Sequence, residues 1–326
     1  MDATVSEVTS LLEKGTFEVV DIPEDKTLVD TKWVFKRKVD AFGNLVNMKT
    51  RLVAKGFLQR FGVDYFDVFS PVTKLSTLRV LLSLVAALDL ELRHVDVRTA
   101  FLNGELDEEV YIKVPEGLQD MYPRKCFKLR KAIYGLKQAP RVWWLNLSST
   151  LIKHGFTATF ADQCLFTKMG KHGRVFMLVY VDDILIAGKH EDVQEAVQVI
   201  LDSYDAKDLG EAKSFLGMGI TRDKSKGTIT LSQSKYIETI AEKLNYNVNM
   251  VYNEPIPMQP LQKKQLELKY GEPLDTTAHN YPSLIGSLLY LANCTRPDIS
   301  FAVGALARHM QAPGTCHWGY AQMLLR

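Results

Sequence analysis

Apolar and polar positions along this 326-residue chain follow two periods. A helical period predicts a first helix over 3–14, with Val5, Val8, Leu11 and Leu12 on one face and Gly15 closing it. Strand-like alternation predicts strands over Lys32–Val39 and Leu45–Ala54, joined by the hairpin chemistry of Asp40–Asn44. A helix follows over Ser76–Leu90, with Ser76 or Thr77 as its cap. Leu92–Val97 reads as a short buried strand, and Pro140–His154 as a helix closed by Gly155. Val175–Ala187 reads as two strands meeting at Asp182-Asp183. Further helices are expected over 192–203, 234–244, 283–292 and 298–310, with a short strand over 228–231. Prolines 255, 257, 260 and 273 mark 247–280 as a linker, and 323–326 lie within an amphipathic helical pattern. Helices mixed with hairpins, without regular alternation, indicate an α+β class.

Length and composition change this picture little. No apolar run reaches the roughly 18–20 residues of a membrane span, and no basic, apolar leader opens the chain. Cys126, Cys164, Cys294 and Cys316 are scattered, which argues against a zinc site and for reduced thiols. Net charge is only +2, but its distribution is uneven. Lys32–Arg60 holds eight basic residues and one acid, and Arg124–Arg141 holds seven and none. Two basic segments in a near-neutral chain point to a polyanion-facing surface.

The sharpest chemical signal is Tyr180-Val181-Asp182-Asp183, where two adjacent acids interrupt a thirteen-residue apolar run. An ionised carboxylate buried without a partner is very costly, so a divalent cation is the economical counter-charge. Neighbouring strand side chains point to opposite faces, but a tight turn breaks that rule and lets both acids approach one site. Asp96, within the apolar strand His94-Val95-Asp96-Val97, is the best third acid. Three carboxylates with open positions suit Mg²⁺, and two such ions can clamp a phosphoryl transfer.

These residues carry a resemblance. Tyr180-Val181-Asp182-Asp183 resembles the signature of reverse transcriptases. Lys32–Lys36, Arg51–Phe57, Phe69–Val72, Asp96–Gly104, Tyr134–Arg141, Phe215–Gly217 and Thr295–Ile299 resemble, in order and spacing, blocks of the copia-type (Pseudoviridae-like) LTR retrotransposon polyprotein. Asn47-Met48-Lys49-Thr50-Arg51 departs from the usual Arg-Tyr-Lys-Ala-Arg.

The resemblance implies a right hand of fingers, palm and thumb, with the metal site on an antiparallel palm sheet. It divides the chain into a helical lead-in (1–31), fingers and palm (32–245), and a linker with thumb- or connection-like helices (246–326) that stops before RNase H. The implied activity is RNA-directed DNA polymerisation by two-metal transfer of dNTPs onto a primer 3′-hydroxyl. The alternative is an inactive relic that at most binds nucleic acid. Asp96, Asp182 and Asp183 would be the catalytic carboxylates, with the Val97 carbonyl as a further ligand to two Mg²⁺ ions, for which Mn²⁺ can substitute. Lys49, Arg51 and Lys55 would meet the triphosphate, Arg51 first because its planar fork suits phosphate. Phe101 would exclude a ribose 2′-hydroxyl, and Gln138 would line the nucleotide pocket. Tyr180, Phe215, Leu216 and Gly217 would attend the primer. Implied partners are RNA and DNA template-primer, dNTPs and other polyprotein fragments, in cytoplasmic virus-like particles, with the nucleus as a second location.

Overall fold

The computed structural model describes residues 2–39, 45–244 and 272–325. They fall into two units, 1–212 and 213–326, and the expected fingers-and-palm span of 32–245 crosses that division. The first unit begins with α1 (Asp2–Glu13), β1 (Phe17–Asp21), β2 (Leu28–Val29), β3 (Thr31–Val39) and β4 (Leu45–Ala54). There follow α2 (Leu75–Ala87), β5 (Glu91–Val97), β6 (Tyr111–Lys113), β7 (Lys125–Leu129) and α3 (Ala139–Lys153). It ends with β8 (Thr157–Ala158), β9 (Leu165–Met169), β10 (Arg174–Tyr180), β11 (Asp183–Gly188), α4 (His190–Ser203) and β12 (Ala206–Glu211).

A six-stranded antiparallel sheet in the order β12-β5-β11-β10-β9-β8 dominates this unit. Ile184 to Gly188 of β11 are buried without interruption, because both faces of this central strand are covered. Val95, Val179, Ile184 and Ile186 pack with Trp143, Leu147 and Leu151 of α3 and with Val193, Val197 and Ile200 of α4. Helix α2 packs on β11 with its buried Leu78, Leu81, Leu82 and Val85. A second core gathers Val8 and Leu11 of α1 with Phe17, Leu52, Phe127, Leu129 and Ile133 around the small sheet β1-β7-β6-β2.

The β3–β4 ribbon forms over the expected segments, with Lys36 opposite Lys49 and Val34 opposite Arg51. Its link, Asp40–Asn44, lies outside the described residues. One expectation is corrected at α2. The helix starts a residue earlier, and neither Ser76 nor Thr77 caps it. The Asp162 carboxylate, remote in sequence, takes the Lys74 amide N–H at 3.0 Å and the Thr77 hydroxyl at 2.6 Å. A local cap signal cannot reveal a cap supplied by tertiary packing.

The second unit holds the ribbon β13 (Ser214–Phe215), β14 (Met218–Asp223) and β15 (Thr228–Ser232), then α5 (Ser234–Lys243). After residues 245–271, which include the expected linker prolines 255, 257 and 260 and lie outside the described residues, come α6 (Tyr281–Cys294), α7 (Ser300–Ala307) and α8 (Thr315–Leu325). The expected helix over 298–310 is a single 3₁₀ turn, Pro297–Ile299, leading into the shorter α7. Tyr281, Leu284, Ile285, Leu288, Val303 and Leu306 form the core of the helices.

Candidate active site

Pairing brings the three acids to one end of the large sheet. Asp183 stands directly opposite Asp96 in the β11–β5 register, and Tyr180 closes the β10–β11 hairpin opposite Asp183. The Val97 N–H donates to the Asp182 carbonyl at 2.8 Å, tying the turn to the end of β5. Val181 adopts a left-handed φ of +54°, strained for a β-branched residue. That distortion lets consecutive aspartates escape strict alternation. The Trp143 indole N–H holds the Val181 carbonyl at 2.7 Å, and the Thr73 hydroxyl holds that of Val179.

The electrostatics follow from this crowding. Burial pushes the Asp182 carboxyl above the ordinary carboxylate range, and the neighbouring charges of Asp183 and Asp96 push the same way. Its own backbone hydrogen bond and the Arg51 guanidinium oppose the rise. The His94 imidazole, only 8% exposed, places Nε2 2.8 Å from Asp183 Oδ1.

Among the expected nucleotide-binding residues, Arg51 is near enough for its charge to act on Asp182. Its guanidinium carbon lies 4.8 Å from the centre of the Tyr134 ring, and its Nε is buried without a hydrogen-bond partner. Phe101 packs edge-on against the same Tyr134, ring centres 5.0 Å apart. This grouping depends on Gly56, just after β4, and Gly135, in the segment between β7 and α3. A Cβ on Gly135 (φ +94°) would lie 2.1 Å from the Ala54 carbonyl oxygen, and one on Gly56 would lie 2.0 Å from that of Gly135. Lys55 is drawn aside, its Nζ 3.9 Å from Asp30. Lys49 has a backbone place opposite Lys36, and its side chain lies outside the described residues.

Gln138 is buried at the start of α3 and faces the 59–64 loop. Its amide N–H donates to the Asp64 carbonyl at 2.9 Å, and its Oε1 accepts from Gln59 at 3.0 Å. Phe215, Leu216 and Gly217 belong to the second unit. They form a two-residue hairpin with positive φ at Leu216 and Gly217, pinned by the Tyr290 hydroxyl on the Leu216 carbonyl.

Sequence reasoning missed His94, Trp143, Tyr134 and Thr73 as supports of the site. Two left a signal: His94, two positions before Asp96 on a strand, shares that aspartate's face, and Tyr134 opens the block Tyr134–Arg141.

The family model described as "Reverse transcriptase (RNA-dependent DNA polymerase)" matches residues 14–260. The chain belongs to that family. Over its whole length, the reverse transcriptase domain is 40% identical to the retrovirus-related Pol polyprotein from transposon TNT 1-94 of Nicotiana tabacum, covering 25% of that relative. It is 38% identical to the corresponding polyprotein from transposon RE1 of Arabidopsis thaliana, covering 22% of it. The transposon Ty5-1 protein of Saccharomyces cerevisiae is 36% identical over 71% of the chain and 74% of its own length. The chain thus corresponds to the reverse transcriptase domain of copia-type retrotransposon Pol polyproteins, and spans about a quarter of the TNT 1-94 and RE1 polyproteins. A foamy viral protease-reverse transcriptase, solved with double-stranded DNA, shares the α+β polymerase fold at a TM-score of 0.52 and 14% identity. The superposition covers 99% of this chain and 47% of that one.

Reverse transcriptases as a family use divalent metal ions. Among the described residues, no group of three or more His, Cys, Asp or Glu side chains stands ready-made around one ion. The donor chemistry still fits: hard carboxylate oxygens crowd at one sheet end, and Mg²⁺ commonly takes one or two protein carboxylates plus substrate phosphates. No helix among the described residues is long and apolar enough to cross a membrane.

Proposed function

We propose that this chain is a template-directed DNA polymerase that adds dNTPs to a primer 3′-hydroxyl, copying RNA as well as DNA. The observation that carries the reading is the pairing of Asp183 opposite Asp96, with the Asp182 carbonyl bound by the Val97 N–H. It gathers three carboxylates whose mutual repulsion calls for cations. Asp96, Asp182, Asp183 and the Val97 carbonyl would hold two Mg²⁺ ions, which when bound would activate the 3′-hydroxyl and neutralise the triphosphate.

The other residues would position the substrates. Arg51, with an unpartnered buried Nε beside Tyr134, would take phosphate oxygens, and Lys49 and Lys55 would add positive field along the ribbon. Phe101 would exclude a 2′-hydroxyl, and Tyr180 and the Phe215–Gly217 turn would attend the primer end. Gln138 would act on the nucleotide pocket through the 59–64 loop it secures.

A nucleic-acid partner is further supported by the segment after β4. It buries polar Gln59 and Asp64 while Phe57, Phe61, Phe66 and Phe69 are each at least 60% exposed. Anchored aromatics beside basic residues suit stacking on unpaired bases. Partner fragments of a polyprotein and a place in virus-like particles accord with the polyprotein relatives.

The test is primer extension on an RNA template with Mg²⁺, comparing wild type with Asp182→Asn. Extension should fall at least about 100-fold in the variant. Folded wild-type protein that incorporates nothing above the variant's level would rule the reading out.

A further inference from the structure

We propose that His94 is a positioning residue that holds Asp183 apart from the other two carboxylates, so that the chain offers a divalent cation a two-acid seat and releases the third acid only in exchange for the imidazole. The inference rests on the polymerase reading above and adds to it the order in which the acids become available.

The geometry sets this up. His94 lies opposite Leu185 and Asp96 opposite Asp183, so His94 and Asp183 are diagonal neighbours on one face of the sheet. Nε2 and Oδ1 are 2.8 Å apart, the distance of a charge-assisted hydrogen bond. An ionised carboxylate only accepts, so the Nε2–H is the donor and the carboxylate loses one lone-pair site and its freedom to turn. Arg93, on the opposite face, is engaged by Asp208 and Glu91, which leaves this face of β5 to the imidazole. A cation that recruits Asp183 must compete with this contact, whereas Asp96 and Asp182 have no such imidazole among their described hydrogen bonds.

Glutamine at position 94 can present an amide N–H near the position of Nε2, and leucine cannot. Mn²⁺ binding to the whole chain, followed by electron paramagnetic resonance, should therefore be about tenfold tighter in His94→Leu than in wild type. Binding in His94→Gln should stay within about twofold of wild type. The leucine gain should vanish when Asp183→Asn is added. Unchanged or weaker binding in His94→Leu, or equal behaviour of the two variants, overturns the proposal. A second measurement needs neither metal nor a substitution at 94. In ¹⁵N-histidine spectra, His94 should carry its proton on Nε2, and that signal should shift in Asp183→Asn; an unmoved signal also overturns the proposal. Mn²⁺ uptake that Asp96→Asn abolishes but position 94 does not alter sinks this proposal alone. Failure of every chain to bind Mn²⁺ sinks the polymerase reading with it.

Discussion

Asp182→Asn should make the metal-free chain more stable while destroying its chemistry. The acids meet where Asp183 opposes Asp96, a pair whose Cβ atoms stand roughly 5 Å apart, and Asp182 adjoins Asp183 in the chain at a comparable spacing. Two unit charges at that distance repel by roughly 1 kcal/mol in water and roughly 3 kcal/mol at an effective dielectric near 20. Asp182 feels Asp183 and Asp96 together, and burial is the largest cause of its raised pKa. Removing its charge should therefore return about 1–3 kcal/mol at neutral pH. The sign fixes the pH window. The native carboxyl titrates above its unfolded value of 3.8, so the native state binds more protons between the two values. Stability from this group is fully present below 3.8 and is lost as pH rises through the folded pKa. Asparagine has no such dependence, so the variant's advantage should be complete at neutral pH and should close on acidification. Urea unfolding in EDTA, read by tryptophan fluorescence in a Trp318→Phe background, would report on Trp33, Trp143 and Trp144 of the first unit. Added Mg²⁺ should then stabilise wild type more than the variant. A less stable variant at neutral pH, or an advantage indifferent to pH, would refute the electrostatic account.

Trp143→Phe keeps a buried ring but leaves the Val181 carbonyl without its donor. It should cost about 1–3 kcal/mol in urea unfolding and lower primer extension by more than the loss of folded protein explains. Gly135→Ala meets both a left-handed φ and the Ala54 carbonyl. A loss of at least about 3 kcal/mol is expected, and a fully stable variant in thermal melts would contradict the close approach. Phe101→Ala should raise ribonucleotide incorporation relative to deoxyribonucleotide incorporation, and unchanged discrimination in single-nucleotide extension would remove the gating role. Tyr290→Phe should free the Leu216 carbonyl and speed hydrogen exchange across the β13–β14 turn, with little change in β10 and β11.

The parts legible in the sequence were those written in local pattern. The continuous apolar run broken by Asp182-Asp183 placed β10 and β11 within a residue or two, and the same logic chose Asp96 before any pairing was known. What stayed hidden depends on contacts between distant segments. Asp162 caps α2 from 88 residues away, and Gln138 spends its amide on a loop 74 residues earlier. Short strands such as β2 and β8 have too few residues to show a period and exist because a neighbour supplies their partner. The site divides along the same line. Its charged groups announce themselves because a carboxylate within an apolar run has few physical explanations. Its supports are an indole, an imidazole and a phenol, side chains that serve equally well as core. Trp143, His94 and Tyr134 acquire roles only once the fold sets them against Val181, Asp183 and Arg51. A motif thus identifies the groups that act, while the tolerance of the site to substitution is decided by neighbours whose roles no motif states.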